Sequence, residues 1–463
     1  MNSGVRFDRE LIRRYDCLGP RYTSYPTAVQ FDAGFDAARY RETATATNSI
    51  RPLRPLSLYL HIPFCASPCF YCACSKIITR NEARAADYLA RLEREIGLQG
   101  ALFDPARRVE QLHFGGGTPT FLKPGQFEEL MRQLGRHFHL TDEPDREYSI
   151  EVDPRTVASA TIDSLAALGL NRMSVGIQDF DPEVQRAVNR VQSRAETERV
   201  IDRARSAGFR SISVDLIYGL PLQTEERFAR TLDAVLESRP DRLAVYAYAH
   251  LPQTFRTQRR LRAADLPSAE TRLGLLGLTI AKLTQAGYLY VGMDHFALPD
   301  DELIRARESH TLHRNFQGYS THAQCDIVGL GVTAIGRVGE AFAQNLKAIA
   351  EYEAAIDASR LAVHRGVVLN DDDRIRASVI QGLMCYGDID RRAIGRQFGV
   401  EFDEYFANEL DLLRPLEDDG LVEAGPGRIR VTPSGRLLLR NVAMVFDAYL
   451  KRAAARPAYS RAI

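Results

Sequence analysis

The chain predicts an α/β fold: an incomplete (β/α)6 barrel with an N-terminal arm and a mostly helical, winged-helix-like C-terminal domain. Three observations carry that prediction. From Leu56 onward, short apolar runs alternate with amphipathic stretches, as repeated βα units do. Six of the runs end in polar or glycine-rich segments, which is where the loops of a parallel barrel converge on one mouth. After about residue 366 the alternation stops and helical patterns replace it. The expected divisions are an arm over the active site at 1–50, the barrel and its extension at 51–365, and the helical domain at 366–463.

The first 50 residues open with a helical pattern and pass into Pro20-Arg-Tyr-Thr-Ser-Tyr-Pro-Thr27. Two prolines keep that stretch out of a regular helix. Tyr22 and Tyr25 carry apolar area that a surface linker would waste, so the segment is expected to lie extended over another part of the molecule. Strands follow at Leu58–Ile62, Gln111–Phe114, Tyr148–Val152, Arg172–Ile177, Ser211–Ile217 and Leu243–Tyr248, with helices such as Asp87–Leu98 and Thr197–Ala207 between them.

The first unit ends in His61-Ile-Pro-Phe-Cys-Ala-Ser-Pro-Cys-Phe-Tyr-Cys-Ala-Cys74. Cys65, Cys69 and Cys72 stand at C-x3-C-x2-C spacing, so a compact loop can fold three thiols round one metal centre. Thiolates suit zinc or iron–sulfur clusters. A closed zinc site wants four ligands, usually as two separated pairs, and ordinary cluster proteins use four cysteines. Three thiols leave one iron of a 4Fe-4S cluster open for chemistry. A zinc knuckle is the plainer alternative. Cys74 is a poor second bite for the iron that Cys72 would hold, and it is given no ligand role.

The other units end as a ligand site requires. Gly115-Gly-Gly-Thr-Pro-Thr120 lets backbone amides approach a ligand with no Cβ in the way. Glu151-Val-Asp-Pro-Arg155 places a carboxylate where ribose hydroxyls could donate to it. Units four to six end in Gly176-Ile-Gln178-Asp179, Asp215-Leu-Ile-Tyr-Gly-Leu-Pro221 and Tyr246-Ala-Tyr-Ala249-His250. One or two such endings are explained by helix caps and turns; six along one mouth point to a ligand site.

A second region, Met293-Asp-His-Phe296 with His313-Arg-Asn-Phe-Gln-Gly-Tyr319, is rich in aromatic, His and Arg residues and suits a large flat substrate with carboxylates at its rim. Its plainer reading is a packed extension of the barrel. Gly329-Leu-Gly331 with Gly336 lacks the strand-to-helix turn and following acid of a dinucleotide site. Beyond residue 366, helices are expected at Asp371–Met384, Arg391–Phe398 and Phe402–Leu413, then a hairpin of Leu421–Ala424 with Arg428–Val431, then a helix at Pro433–Leu450. This order is that of a winged helix. Its second helix carries Asp390, Arg391, Arg392, Arg396 and Gln397, too mixed for a nucleic-acid footprint, and a packing domain or lid is expected.

At 463 residues the chain exceeds one ordinary domain, and 45% hydrophobic with 26% charged residues is a soluble globular balance. Its 60 basic and 60 acidic residues cancel, which argues against nucleic-acid or membrane partners. No apolar run reaches about 18 residues, and the N-terminus lacks a secretory pattern, so a cytoplasmic protein is expected. Seven cysteines, four in one loop, argue against a disulfide framework. Cys17 and Cys385 are read as buried small hydrophobes.

The three-thiol loop after a first strand resembles the radical S-adenosylmethionine (SAM) superfamily. In that superfamily the open iron chelates SAM, and one electron from the cluster releases a 5′-deoxyadenosyl radical. The likeness extends along the chain. Tyr59-Leu-His-Ile-Pro-Phe-Cys65, Gly115–Thr120, Ile150-Glu-Val-Asp-Pro-Arg155, Val188-Asn-Arg190, Asp215–Pro221, Tyr248-Ala-His250, Met293-Asp-His295, His313–Tyr319 and the closing Tyr459-Ser-Arg-Ala-Ile463 are similar to the oxygen-independent coproporphyrinogen III oxidases.

The resemblance implies a radical SAM barrel whose 4Fe-4S cluster is held by Cys65, Cys69 and Cys72. It implies two SAM molecules, the first against Tyr59, Gly116, Glu151 and Ile335, the second against Tyr71, Gly117, Thr118, Gln178, Arg190, Asp215 and Ala249. The implied reaction converts two propionates of coproporphyrinogen III to vinyl groups. The hydrogen removed is neither acidic nor next to a carbonyl, so a side-chain base of tuned pKa does not suit it, and no catalytic side chain is assigned. A reduced electron donor such as flavodoxin and a monomeric state are also implied. Tyr71 departs from the Phe expected there, and Cys325 from a hydroxyl residue. The rival within the superfamily is a haem chaperone or a haem-degrading methyltransferase; the chaperones carry an HNxxYW motif, and this chain has no tryptophan. A cluster-sensing transcription factor is disfavoured by the balanced charge.

Overall fold

The computed structural model describes residues 4–452 and Tyr459, so Ser460-Arg-Ala-Ile463 of the closing motif lies outside the described residues. Twelve strands, labelled in chain order, form one continuous pairing path. The six expected barrel strands are β1 (Leu56–Ile62), β2 (Arg108–Gly116), β3 (Glu147–Val152), β4 (Arg172–Gln178), β5 (Ser211–Tyr218) and β6 (Arg242–Ala247). They are parallel neighbours in that order. The sheet continues past β6 through antiparallel β8 (His295–Ala297) and β7 (Leu289–Gly292). Past β1 it gains parallel β9 (Asp326–Leu330), then antiparallel β10 (Ile335–Val338), β11 (Ala341–Asn345) and β12 (Val363–Val368). The path is open, with β7 and β12 at its ends.

Each of β1 to β6 is followed by a helix whose apolar stripe covers the outside of the sheet. Glu82–Gly100 buries Ala85, Tyr88, Leu89, Leu92 and Ile96, a 3.6-residue repeat. Arg194–Ser206 starts in a capping box between Ser193 and Glu196. The strands alternate accordingly. On β5, Ile212, Val214 and Leu216 are fully buried under helices, whereas Ser213 and Asp215 face inward. On β3, Tyr148, Ile150 and Val152 face out while Glu147, Ser149 and Glu151 face in.

The inner face is therefore polar along its whole length, not only at the strand ends. Gln111, His113, Glu147, Ser149, Arg172, Ser174, Asp215 and Arg242 all line one interior cavity of ≈ 190 Å³. Packed barrels of this class usually fill that space with branched apolar side chains. Here the extension closes the floor with charge: Arg242 donates to Asp301 (2.8 Å), Arg172 pairs with Glu302, and Glu147 accepts from Gln111 (2.6 Å) and Thr321 (2.9 Å).

The C-terminal part departs from expectation at three places. The hairpin Val422–Gly425 and Arg428–Val431 gains a third strand, Asp388–Asp390, reached through Gly387 at φ +67, which ends the helix Asp371–Tyr386. The stretch expected as one helix from Phe402 divides into Phe402–Tyr405 and Ala407–Asp418, and the second piece tolerates Pro415. The expected helix Pro433–Leu450 breaks into Leu439–Val445 and Ala448–Arg452. Asp447 makes that break: its carboxylate accepts from the backbone of Tyr449 and Leu450 and, at 2.9 Å, from the Tyr22 hydroxyl. The arm is thereby bolted to the C-terminal helices, and Tyr22 and Tyr25 belong to their apolar core.

Candidate active site

The cysteine loop is rooted by backbone pairing. Phe64–Cys65 pairs in parallel with Ile77–Ile78. The amides of Gly117 and Thr118 donate to the carbonyls of Ile62 and Phe64, both at 2.8 Å. The Gly116 amide donates to Glu151 (3.1 Å). So three amides expected to face a ligand hold the loop and the carboxylate instead. The far side of the loop is tied by Asn189 to the Pro68 carbonyl (2.7 Å), Gln258 to that of Tyr71 (2.9 Å) and Thr257 to that of Cys72 (3.1 Å).

Each of the three sulfurs has its own donors. Thr118 donates to Cys65 (3.4 Å), Arg190 and Arg155 to Cys69 (3.6 and 3.7 Å), and the Cys74 amide to Cys72 (3.4 Å). The neighbouring Cys74 and Lys76 draw the Cys72 thiol below its ordinary value, while burial pushes Cys65 up to about 11. Among the described residues no three His, Cys, Asp or Glu side chains converge closely enough to hold a single metal ion. A cluster takes one thiolate per iron and asks for sulfurs spread around it, each with a donor to steady its negative charge. The loop meets the second demand, since each of its three thiols has a donor.

The residues expected around the first SAM come together. Tyr59, Gly116, Glu151 and Ile335 line a cavity of ≈ 410 Å³, with Cys74, His61 and His113 on the same wall. Gly116 sits at φ +117, and a Cβ there would meet the His61 ring at 2.7 Å, so the position demands glycine. Tyr59 bonds to His61 (3.0 Å) and stacks on His113, which reaches Glu151 at 3.3 Å. The Glu151 carboxylate is 44% exposed, open to a donor from the cavity.

The residues expected around the second SAM divide into two groups. Tyr71, Arg190 and Gln178 surround Cys69 and Gly176: Arg190 donates to the Gly176 carbonyl (2.6 Å), and a Cβ on Gly176 would lie 2.9 Å from Gln178. Gln178 holds φ +69, a strained value for a side-chain-bearing residue. The Ala249 carbonyl shares the Gln258 amide with that of Tyr71. Asp215 stands apart in the polar interior, where it accepts from Ser174 (2.9 Å). Gly117 and Thr118 lie at the loop root.

Two partners escaped the sequence reading, His113 and Ser174, while Asp153 stood in a quoted strand ending with no role given to it. Asp153 is the buried counter-ion of Arg155 (2.6 Å) and Arg190 (3.1 Å), and although burial opposes it, those two guanidiniums hold its carboxyl below the ordinary range. The available signal was the two-residue repeat of polar side chains along each strand, as in Glu147, Ser149, Glu151 and in Arg172, Ser174, Gly176.

Burial pushes the Asp215 carboxyl up to about 7. A raised folded-state value means that the native protein binds the proton more tightly than the unfolded chain, so this group's contribution to stability falls as pH rises from about 4 to about 7. Asp215→Asn is expected to raise the melting temperature of the metal-free chain at pH 8 by an amount that shrinks toward pH 4. The difference is bounded by about 4 kcal/mol. Melting curves of both proteins across that range check it; a pH-independent difference contradicts it.

Known proteins resemble the chain over most of its length. The radical SAM superfamily model matches residues 59–235, and the HemN C-terminal domain model matches 369–438. The oxygen-independent coproporphyrinogen III oxidase of Pseudomonas aeruginosa is 51% identical over 96% of this chain and 96% of its own. That of Escherichia coli is 48% identical over 99% of each. The solved coproporphyrinogen III oxidase of Escherichia coli, described as a radical SAM enzyme, superimposes with a TM-score of 0.92 at 47% identity, covering 96% of this chain and all of that one.

Proposed function

Since the chain belongs to the oxygen-independent coproporphyrinogen III oxidase family, we propose that it oxidatively decarboxylates two propionates of coproporphyrinogen III to vinyl groups, yielding protoporphyrinogen IX for anaerobic haem biosynthesis. It is an oxidoreductase of the radical SAM class. Family membership implies a 4Fe-4S cluster and SAM. The haem-chaperone and haem-degrading alternatives are disfavoured by identity of 48–51% to curated oxidases along nearly the whole chain.

The observation that carries the reading is the three-thiol loop, whose far end at Cys74 and Ser75 lines the cavity of Tyr59, Gly116, Glu151 and Ile335. Cys65, Cys69 and Cys72 would hold the cluster and leave one iron open. When bound, the cluster and SAM together supply a 5′-deoxyadenosyl radical able to take an unactivated hydrogen. The protein's part is placement. Tyr59, Gly116, Glu151 and Ile335 would receive the first SAM, with the exposed Glu151 carboxylate accepting from its donors. Tyr71, Gln178, Arg190 and Ala249 would receive the second, with Asp215 below them; Thr118 acts through its hydroxyl and Gly117 through close packing, because their amides are engaged. The buried Asp153–Arg190–Arg155 cluster fixes the Cys69 side of the site.

A reduced donor such as flavodoxin would supply electrons, and a monomeric, cytoplasmic enzyme is the simplest reading. No helix among the described residues is long and apolar enough to cross a membrane. The test is anaerobic reconstitution followed by turnover with coproporphyrinogen III in parallel with haem. Divinyl product with about two 5′-deoxyadenosine per substrate supports the reading. Consumption of haem with no divinyl product overturns it.

A further inference from the structure

A third cavity, of ≈ 350 Å³, lies where the N-terminal arm, the strand extension and the C-terminal helices meet. Phe316 and Ile327 line both it and the cavity beside the cysteine loop, so the two adjoin. Its walls carry Arg314, Arg337 and His313, with Tyr22 and Ser24 of the arm opposite.

The hydrogen-bonding groups at this junction are unmatched in one direction. Arg314 Nη1, Arg337 Nε and Ser24 Oγ are buried without a partner among the described residues, and so is Gln317 Nε2 on the adjoining cavity. Arg314 is 5% exposed, with its guanidinium over the Tyr319 ring at 4.9 Å and its Nε reaching only the Arg21 carbonyl at 3.4 Å. Arg337 lies over Phe342 at 5.6 Å, and burial draws its pKa below the ordinary value. The Gln381 amide donates to His313 Nδ1 (2.8 Å), which leaves the ring proton on Nε2. Burial brings His313 down to about 4, so this proton is carried by a neutral donor. The carboxylate on the same wall, Glu340, is exposed.

Buried guanidinium donors without an anion are costly, and a planar guanidinium matches a carboxylate in two parallel hydrogen bonds. We propose that Arg314 and Arg337 anchor the substrate's carboxylates, gripping propionates that do not react while the reacting ones reach the adjoining cavity. This rests on the reading of coproporphyrinogen III as substrate, which carries more propionates than are removed. The arm, already fixed by Tyr22 to Asp447, would cover the anchored rim, with Ser24 facing it.

The probe is coproporphyrin III, the air-stable tetra-acid, titrated by fluorescence against the reconstituted full-length protein beside its tetramethyl ester. Arg314→Met and Arg337→Met are each expected to weaken acid binding about 10- to 100-fold and to leave ester binding unchanged. KM for coproporphyrinogen III should rise by a similar factor, with cluster content and substrate-free SAM cleavage unaltered. If either Met variant misfolds by circular dichroism, Arg314→Lys and Arg337→Lys serve in its place and should fall between wild type and the predicted loss. Wild-type acid affinity in folded variants at both positions overturns the anchors and leaves the function intact. A wild-type protein that neither binds coproporphyrin III nor turns over the reduced substrate overturns the function itself.

Discussion

Cys65→Ala, Cys69→Ala and Cys72→Ala will each give a folded chain that, after anaerobic reconstitution, lacks the 4Fe-4S spectrum and cleaves SAM at background rate. The three sulfurs are not redundant, because each is held by a different element: Cys65 by Thr118 after β2, Cys69 by Arg155 after β3 and Arg190 after β4, and Cys72 by the Cys74 amide in its own turn. A neighbouring thiol cannot swing into the vacancy without leaving its own donors. The fold should survive. The loop is tied by backbone carbonyls and by the Phe64–Cys65 pairing with Ile77–Ile78, and none of these contacts uses a sulfur. Iron and sulfide analysis, the visible spectrum and 5′-deoxyadenosine formation check the result together. A variant that keeps iron, sulfide and SAM cleavage would show that the ligand set is misassigned.

The barrel was legible because its strands are buried on the outer face and separated by well-capped amphipathic helices. Runs such as Ser211–Tyr218 therefore stand out, and all six strands lie in the expected order. The extension was not. Leu289–Gly292, His295–Ala297 and Ile335–Val338 are three or four residues long, too short for a periodic signal, and their pairing depends on contacts far away in sequence. The glycines at 329, 331 and 336, set aside as a dinucleotide motif, serve this sheet: a Cβ on Gly329 would lie 2.9 Å from the Ile335 backbone, and one on Gly336 2.5 Å from the Ile327 carbonyl. The cysteine spacing announced the site, and strand endings announced Glu151, Gln178 and Asp215. The polar interior was hidden because its residues alternate with apolar ones that already accounted for each strand. The break at Asp447 was hidden because it depends on Tyr22, more than four hundred residues earlier.

Gly117→Ala should abolish cluster assembly, which separates two accounts of the glycine-rich segment. If these glycines exist to let amides approach SAM, an added methyl would weaken SAM binding and leave the cluster in place. The geometry argues otherwise. A Cβ on Gly117 would stand 2.7 Å from the Pro63 carbonyl carbon and oxygen and 2.8 Å from the Phe64 oxygen, all backbone atoms that cannot rotate away. The two segments would have to part, straining the Gly117 and Thr118 hydrogen bonds to Ile62 and Phe64 and pulling Thr118 from Cys65. Forcing a methylene into packed structure costs about 1–3 kcal/mol, and each hydrogen bond lost adds roughly 1 kcal/mol. That cost falls at the root of the loop that presents all three thiols. Gly125→Ala is the matched control, because a Cβ there meets nothing within 4 Å and the residue lies in the first turn of the helix Pro124–His137. It should be neutral or slightly stabilising. Iron content and melting temperature of both variants, measured beside SAM affinity, decide the matter: a Gly117→Ala protein with a full cluster, an unchanged melting temperature and only weakened SAM binding would return the glycine to the role of ligand approach.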